Sequence, residues 1–467
     1  MPESPFFKNM ERLFNPGAVA VIGASDNPAK LGFHVMTSLR SGGYRGKVVP
    51  VNPGTETIMA AKAYPSLEAY GGHIDLAIIV LPAGLVPGIL EECVRKKIRG
   101  IVLITAGFKE IHDPKGGELQ EELARIANEA QIPVIGPNTF GLVNLPLSLN
   151  ASFTPEFSRL SKGSISLVSQ SGGIAHLMAF MAMERGMGMS KIVGLGNRLN
   201  VDFAEMFAYL VDDPDTRVIA LYLEGLDDPR KLMEVAKEHR GKKPAVAYKT
   251  GSAPAGDQAS LSHTGSMAGR QDIYEGALKQ AGILALRSSE ALLDAARGLS
   301  MGPLPKGPRI AVLSGQAGPG MAACDLCESQ GLKLAVFRPE TQGVINDLLP
   351  PLALRTNPVD MGPAWYNAPA IEGIIRVVLE DEGVDGLLLL MMFASANKGA
   401  PGAISPLLLE WKQEKPVVSC LVSPPGIWDE EVRTMEKGGA LVNCPTPERA
   451  AMTMASLWRY SRMASSG

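Results

Sequence analysis

His263 stands inside "QASLSHTGSMAG" (residues 258 to 269), with Ser262, Thr264, Gly265 and Ser266 around it. These small side chains leave space beside the imidazole. Two readings fit: a turn histidine ahead of a capped helix, or a nucleophile that needs room for a transferred group. A histidine nucleophile needs one ring nitrogen open and its other N–H held by an acceptor, and a phosphoryl group on it needs N–H donors. Glu224 ends the apolar run "VIALYLEG" (218 to 225) and is the candidate acceptor. A carboxylate costs free energy to bury unless paired, so the plain alternative is a solvated loop residue. "LVSQSGG" (167 to 173) puts Ser171, Gly172 and Gly173 between a strand and a helix, where backbone N–H groups face an incoming anion. His176, deeper in that apolar helix, is expected to serve packing.

A second turn of this kind follows the first apolar run, "AVAVIGAS" (18 to 25), with Gly23 and Ser25 at the strand end and Lys30 near the next helix start. Phosphate is the expected guest, although a turn without a ligand has the same composition. The fingerprint GxGxxG is absent because Ala24 and Ser25 follow Gly23, which argues against a nicotinamide cofactor and leaves other phosphate-bearing nucleotide derivatives. Pro82 in "LPAG", Ala106 and Gly107 in "TAGF", and Asn138 in "GPNTFG" follow the neighbouring strands. Open α/β sheets bind ligands at that edge.

The elements that must position these turns are short, continuously apolar runs, each followed by a Gly-rich turn and a helical pattern. Such runs mark strands buried on both faces of a parallel sheet. Three series occur, and "MGPLPKGPR" (301 to 309) has the composition of a linker before the last. The expected architecture is α/β with three tandem doubly wound domains: 1–146, 150–299 and 308–467.

Composition narrows the function classes. The 467 residues are 46% hydrophobic and 20% charged, with a formal charge of -3, so no basic field is offered to nucleic acid. Five cysteines form no disulfide framework. "CDLC" (324 to 327) has neither a second such pair nor a nearby histidine and is expected to pack inside a helix. No apolar run reaches about 18 residues, and the first residues have no signal-peptide pattern. A cytoplasmic protein without membrane association is expected.

Taken in order and spacing, "VIGASDNPAKLG", "ITAGFKE", "GPNTFG", "LVSQSGG", "GLGNRLNVDF", "LYLEG", "SHTGSMAG" with "YEGALKQAG", and "NPVDMGPA" resemble the CoA-binding chain of the NDP-forming acyl-CoA synthetases. That family includes succinyl-CoA synthetase and the ADP-forming acetyl-CoA synthetases. The resemblance implies a Rossmann-like CoA-binding domain followed by two flavodoxin-like ligase domains. It implies that His263 is the phosphorylated nucleophile, Glu224 its orienting acceptor, and Ser171, Gly172 and Gly173 the helix start that caps the phosphate. It places CoA phosphates near Gly23, Ser25 and Lys30, with Pro82, Ala106, Gly107 and Asn138 lining the thiol end. Thr139 stands where family members often carry cysteine. No ATP-grasp region or P-loop is present, so ATP or ADP with Mg2+ is expected on a separate ATP-grasp beta subunit, in an α2β2 assembly. A CoA- or acyl-CoA-sensing regulatory protein on the same domains is the alternative; retention of His263, Glu224 and the Gly-rich turn argues against it.

Overall fold

The computed structural model describes residues 4–111, 113–251 and 271–465. His263 lies outside the described residues, as does the rest of its small-residue stretch from 258 to 269. The chain divides into two compact units, residues 1–289 and 290–467.

The first unit holds two sheets. In the first, the parallel strands Ala18–Ile22, Lys47–Val51, Leu76–Ile79, Gly100–Leu103 and Val134–Ile135 lie in the spatial order second, first, third, fourth, fifth. Val19 and Val21 face one core cluster while Ala20 and Ile22 face another, so both faces of the strand are covered. This accounts for an apolar run that does not alternate. In the second sheet, Lys162–Ser169, Met189–Gly194, Val218–Leu223, Ala245–Lys249 and Leu284–Leu286 follow the same order. The two sheets share an apolar cluster to which Val35, Ile78, Leu142, Val193 and Ile219 contribute.

The second sheet is not purely parallel. Gly141–Asn144 runs antiparallel to Met189–Gly194, and Leu149–Ser152 pairs antiparallel outside it. Both strands are four residues long and fully buried, too short to announce themselves by periodicity.

In the second unit, Arg309–Ser314, Lys333–Leu334, Gly386–Met392, Val417–Val422 and Val442–Asn443 repeat the order, with the short strand Val359–Asp360 beside the first. The helix Ser289–Met301 packs, after Ser289, with this unit. Its Asp294 pairs with Arg449 at 2.7 Å, its Arg297 with Glu436, and its Gly298 abuts Leu457.

Strand order fixes where ligands can enter. Where the first and third strands of such a sheet are neighbours, their following connections leave on opposite faces and open a crevice beyond the carboxyl ends. In the first sheet that crevice falls between the turns at Gly23 and Pro82, and in the second between Ser169 and Glu224.

Candidate functional site

Gly23 has φ of +90°, and a Cβ there would lie 2.3 Å from the carbonyl oxygen of Val80 on the neighbouring strand. Only glycine combines that backbone conformation with that approach. Gly32, in the first turn of the helix Leu31–Ser41, is equally constrained: its Cβ would lie 2.0 Å from the Gly23 carbonyl oxygen. The helix start is therefore held close against the strand end. Ser25 is buried and its hydroxyl accepts the Asn27 amide at 3.0 Å, while exposed Lys30 immediately precedes the helix. Asn52 holds the Ala24 carbonyl from the adjoining strand end at 2.8 Å.

The other turns converge on the same edge. Thr105 Oγ1 donates to the Leu81 carbonyl at 2.7 Å, joining the turns of Pro82 and Ala106. The Asn138 amide donates to the Thr105 carbonyl at 2.8 Å. Gly107 has φ of +108° and Asn138, a residue type tolerant of that region, +58°. Pro82 and Ala106 are exposed; Gly107 and Asn138 are partly covered. Gly23, Ser25, Lys30, Pro82, Ala106, Gly107 and Asn138 thus follow strand ends of one sheet at its carboxyl edge. Thr139 is structural: its buried hydroxyl donates to the Gly194 carbonyl at 2.6 Å and accepts the Gly141 amide at 3.0 Å.

The second crevice is built from neighbouring strands. Ser169 is level with Tyr222, and Leu223 with Lys249. Ser171 caps the helix Gly172–Glu184, accepting the Ile174 amide at 3.4 Å, and Ser169 Oγ braces the turn through the Ser171 carbonyl at 2.7 Å. Gly172 and Gly173 make the first helical turn without side chains, and Gly173 is exposed. Half-buried Glu224 follows its strand directly. The connection between the two turns is Gln170, whose Oε1 accepts the amides of Glu224 at 3.0 Å and Gly225 at 3.1 Å. The backbone of the Glu224 turn and the helix start are therefore fixed with respect to one another. The buried Tyr222 hydroxyl is pushed up to about 12, first by burial, with the Glu224 charge adding to the rise.

One strand further, buried Lys249 places its ammonium group on the Thr250 carbonyl and 4.8 Å from the centre of the Tyr274 ring. Sequence reasoning passed over Lys249 and took Gln170 only as a member of the loop before the helix; a lysine ending an otherwise apolar strand was the available signal for the first. His176 lies one turn into the helix Gly172–Glu184 and serves packing. Its Nδ1 meets the Gly172 carbonyl at 2.7 Å and its Nε2 the Thr154 hydroxyl at 2.8 Å, among Phe140, Phe153, Phe157 and Phe180.

Cys324 and Cys327 are buried on the helix Ala317–Ser329, where burial first of all raises their thiols to about 11 and about 12. A reactive or metal-binding thiolate requires the opposite shift. Among the described residues no group of three or more His, Cys, Asp or Glu is placed to hold a metal ion, and no helix is long and apolar enough to cross a membrane.

Comparison with known proteins adds two domain matches: a CoA binding domain over residues 17–144 and a succinyl-CoA ligase like flavodoxin domain over 162–299. The chain is 36% identical over 469 residues to the alpha subunit of the ADP-forming acetate–CoA ligase II of Pyrococcus furiosus, covering 98% of this chain and 99% of that one. It is 35% identical to an ADP-forming 4-hydroxybutyrate–CoA ligase of Nitrosopumilus maritimus over 76% of this chain and 51% of that protein. Its fold superposes with a TM-score of 0.89, at 34% identity and over 98% of this chain and 97% of the other, on acetyl-coenzyme A synthetase 1 of Ca. Korarchaeum cryptofilum, solved with phosphate and ADP. Domains, relatives and fold agree, and the chain belongs to the NDP-forming acyl-CoA synthetases, acid–thiol ligases, as a homologue of their alpha subunits.

Proposed function

We propose that the chain is the CoA-binding, phosphohistidine-carrying subunit of an NDP-forming acyl-CoA synthetase. The observation that carries this is the second crevice, where Gln170 fixes the Glu224 turn beside the helix start at Ser171, Gly172 and Gly173. A phosphorylated imidazole needs both an acceptor for its ring N–H and amide donors for its phosphate, and the two stand on adjoining strands.

In this reading the first crevice takes CoA. Gly23, Ser25 and Lys30 receive its phosphates at a helix start, and Pro82, Ala106, Gly107 and Asn138 line the thiol end. Acyl-CoA and phosphate exchange to acyl phosphate and CoA. A ring nitrogen of His263 then attacks the phosphorus, the P–O bond to the acyl group breaks, and the carboxylate leaves. Glu224 holds the other ring N–H and favours the cationic ring that forms, while the amides of the Ser171 turn face the phosphoryl oxygens. Phosphohistidine finally passes its phosphoryl group to a nucleoside diphosphate and returns to free imidazole.

Nucleotide and Mg2+ belong to a separate ATP-grasp beta subunit, in an α2β2 assembly and in the cytoplasm. In support, relatives bear the name of alpha subunits, and an Archaeoglobus fulgidus relative matched over 97% of this chain has only 64% of its own length in the match. The chain divides for this work into 1–146 for CoA, 150–299 for the phosphohistidine, and a third domain over 308–467.

The test is incubation of the chain with acetyl-CoA and phosphate, followed by mass spectrometry under alkaline conditions. An acid-labile phosphate on His263 is expected, absent from His263→Asn. Full thioester-forming activity of His263→Asn together with the partner subunit would falsify the relay.

A further inference from the structure

We propose that Asn197 is a positioning residue for acyl transfer, the joint that locks the turns at Gly107 and Asn138 to the second sheet. The inference rests on the reading of those turns as the thiol end of the CoA crevice.

Asn197 follows the strand Met189–Gly194 and is buried. Its Nδ2 donates to Glu110 Oε2 at 2.5 Å and to Gln120 Oε1 at 3.0 Å, its Oδ1 accepts from Asn138 Nδ2 at 3.3 Å, and its backbone amide donates to the Pro137 carbonyl at 2.9 Å. Both side-chain N–H bonds are thus used, each on a residue of the first sheet's connections. Glu110 in turn accepts the amides of Gly107 at 2.5 Å and Phe108 at 3.2 Å. Burial pushes the Glu110 carboxyl up, but the Gly107 amide and the Asn197 side chain outweigh it and hold the group below the usual carboxylate range.

The next residue reaches the other way. Arg198 has φ of +60°, which turns its buried side chain to Asp202 at 3.3 Å and Asp227 at 3.1 Å; Lys109 stands 3.9 Å from Asp227. Asp227 lies three residues past Glu224. One turn therefore grips the CoA-lining loops through Asn197 and the Glu224 connection through Arg198. The chemistry requires an amide at 197: a charged Glu110 needs a donor, and an aspartate there would face the Glu110 carboxylate with a second negative charge.

That substitution supplies the test, since N197D places a titrating charge in the joint while keeping its shape. CoA affinity of the full chain is measured by calorimetry at about pH 6 and about pH 8, with hydrogen exchange of the Gly107 and Phe108 amides in parallel. At the higher pH, N197D is expected to bind CoA about tenfold more weakly and to exchange those amides faster, with most of both effects reversed at the lower pH as one carboxyl takes up a proton. In E110Q/N197D the new amide donates to the new carboxylate, and wild-type behaviour should return at both pH values. N197A should lose affinity equally at both. Wild-type affinity and exchange in N197D at about pH 8, or no recovery in a folded E110Q/N197D, overturns the proposal. If N197D does not fold, a folded E110Q/N197D supports the joint and an unfolded one overturns it. A wild-type chain that fails to bind CoA counts against the proposed function, and the exchange pattern alone then judges the joint.

Discussion

Gln170 carries no charge, yet its Oε1 is the acceptor for two consecutive amides of the Glu224 turn. Replacing it by leucine keeps the bulk and removes the acceptor, leaving partly buried N–H groups without it at a cost of about 1–3 kcal/mol. Gln170→Leu should lower the urea midpoint accordingly and also lower the rate of His263 phosphorylation; an unchanged rate in a destabilised variant would show that the Glu224 turn does not depend on Gln170. At Gly23 the expected outcome is more severe. Gly23→Ala combines a left-handed backbone with a carbonyl oxygen 2.3 Å from the added carbon, so the strand end must move and CoA binding should be lost while far-UV circular dichroism remains near wild type. Calorimetry checks it, and retained affinity would remove Gly23 from the site. The turns themselves were legible from the sequence because glycine and serine follow apolar runs at the strand ends, a composition that a turn without a ligand shares. Gln170 and Asn197 were not, since their partners are 54 to 87 residues away and nothing in a linear pattern pairs a glutamine with a distant amide.

Among the elements, the helix Gly172–Glu184 depends on its cap. Ser171→Ala removes the side-chain acceptor for the Ile174 amide and should cost about 1 kcal/mol, read as a fall in the thermal midpoint. In the same sheet, the strand Met189–Gly194 buries Lys191 against Asp213 at 2.6 Å. Lys191→Met strands the carboxylate and should destabilise by about 3–5 kcal/mol, whereas Lys191→Met with Asp213→Leu should recover most of the loss. Denaturant titration distinguishes the two. Strands of four or more residues in parallel runs could be read from sequence because burial on both faces removes polar positions. The antiparallel strands Gly141–Asn144 and Leu149–Ser152 could not: they flank a turn with an ordinary loop composition, and the first owes its place to the distant strand Met189–Gly194 and the second to the first.

For the whole molecule, the division at residue 289 has a consequence that the proline- and glycine-rich segment from 301 to 309 conceals. A fragment of residues 289–467 keeps the Asp294–Arg449 and Arg297–Glu436 pairs, while 308–467 leaves Glu436, buried in the full chain, without its arginine. The longer fragment should fold with the higher thermal midpoint. In the same unit, burial opposes the charged forms of Asp381 and Asp385, but the Arg338 amide beside Asp381 and the Arg309 guanidinium beside Asp385 hold both carboxyls below the usual range. A depressed folded-state value gives stability that is present above about pH 4 and lost as pH falls further, so the midpoint should drop between about pH 5 and about pH 3. The three sheets also share one strand order, and with it three crevices. In the third, the turn after Arg309–Ser314 repeats the brace of the second, with Ser314 Oγ on the Gln316 carbonyl at 2.5 Å as Ser169 Oγ is on that of Ser171. Where the second sheet has a serine cap, however, Gln316 reaches across and bonds the carbonyl of Met392 at 3.0 Å and its amide at 3.3 Å, while Trp365 covers the Gly315 carbonyl at 2.7 Å. A doubly wound sheet makes a cleft by its topology alone, so a sequence must either furnish that cleft or suture it. This chain bridges both clefts with a glutamine, Gln170 one residue ahead of the helix cap in the second and Gln316 at the cap itself in the third, so the serine cap of the second is what the third lacks.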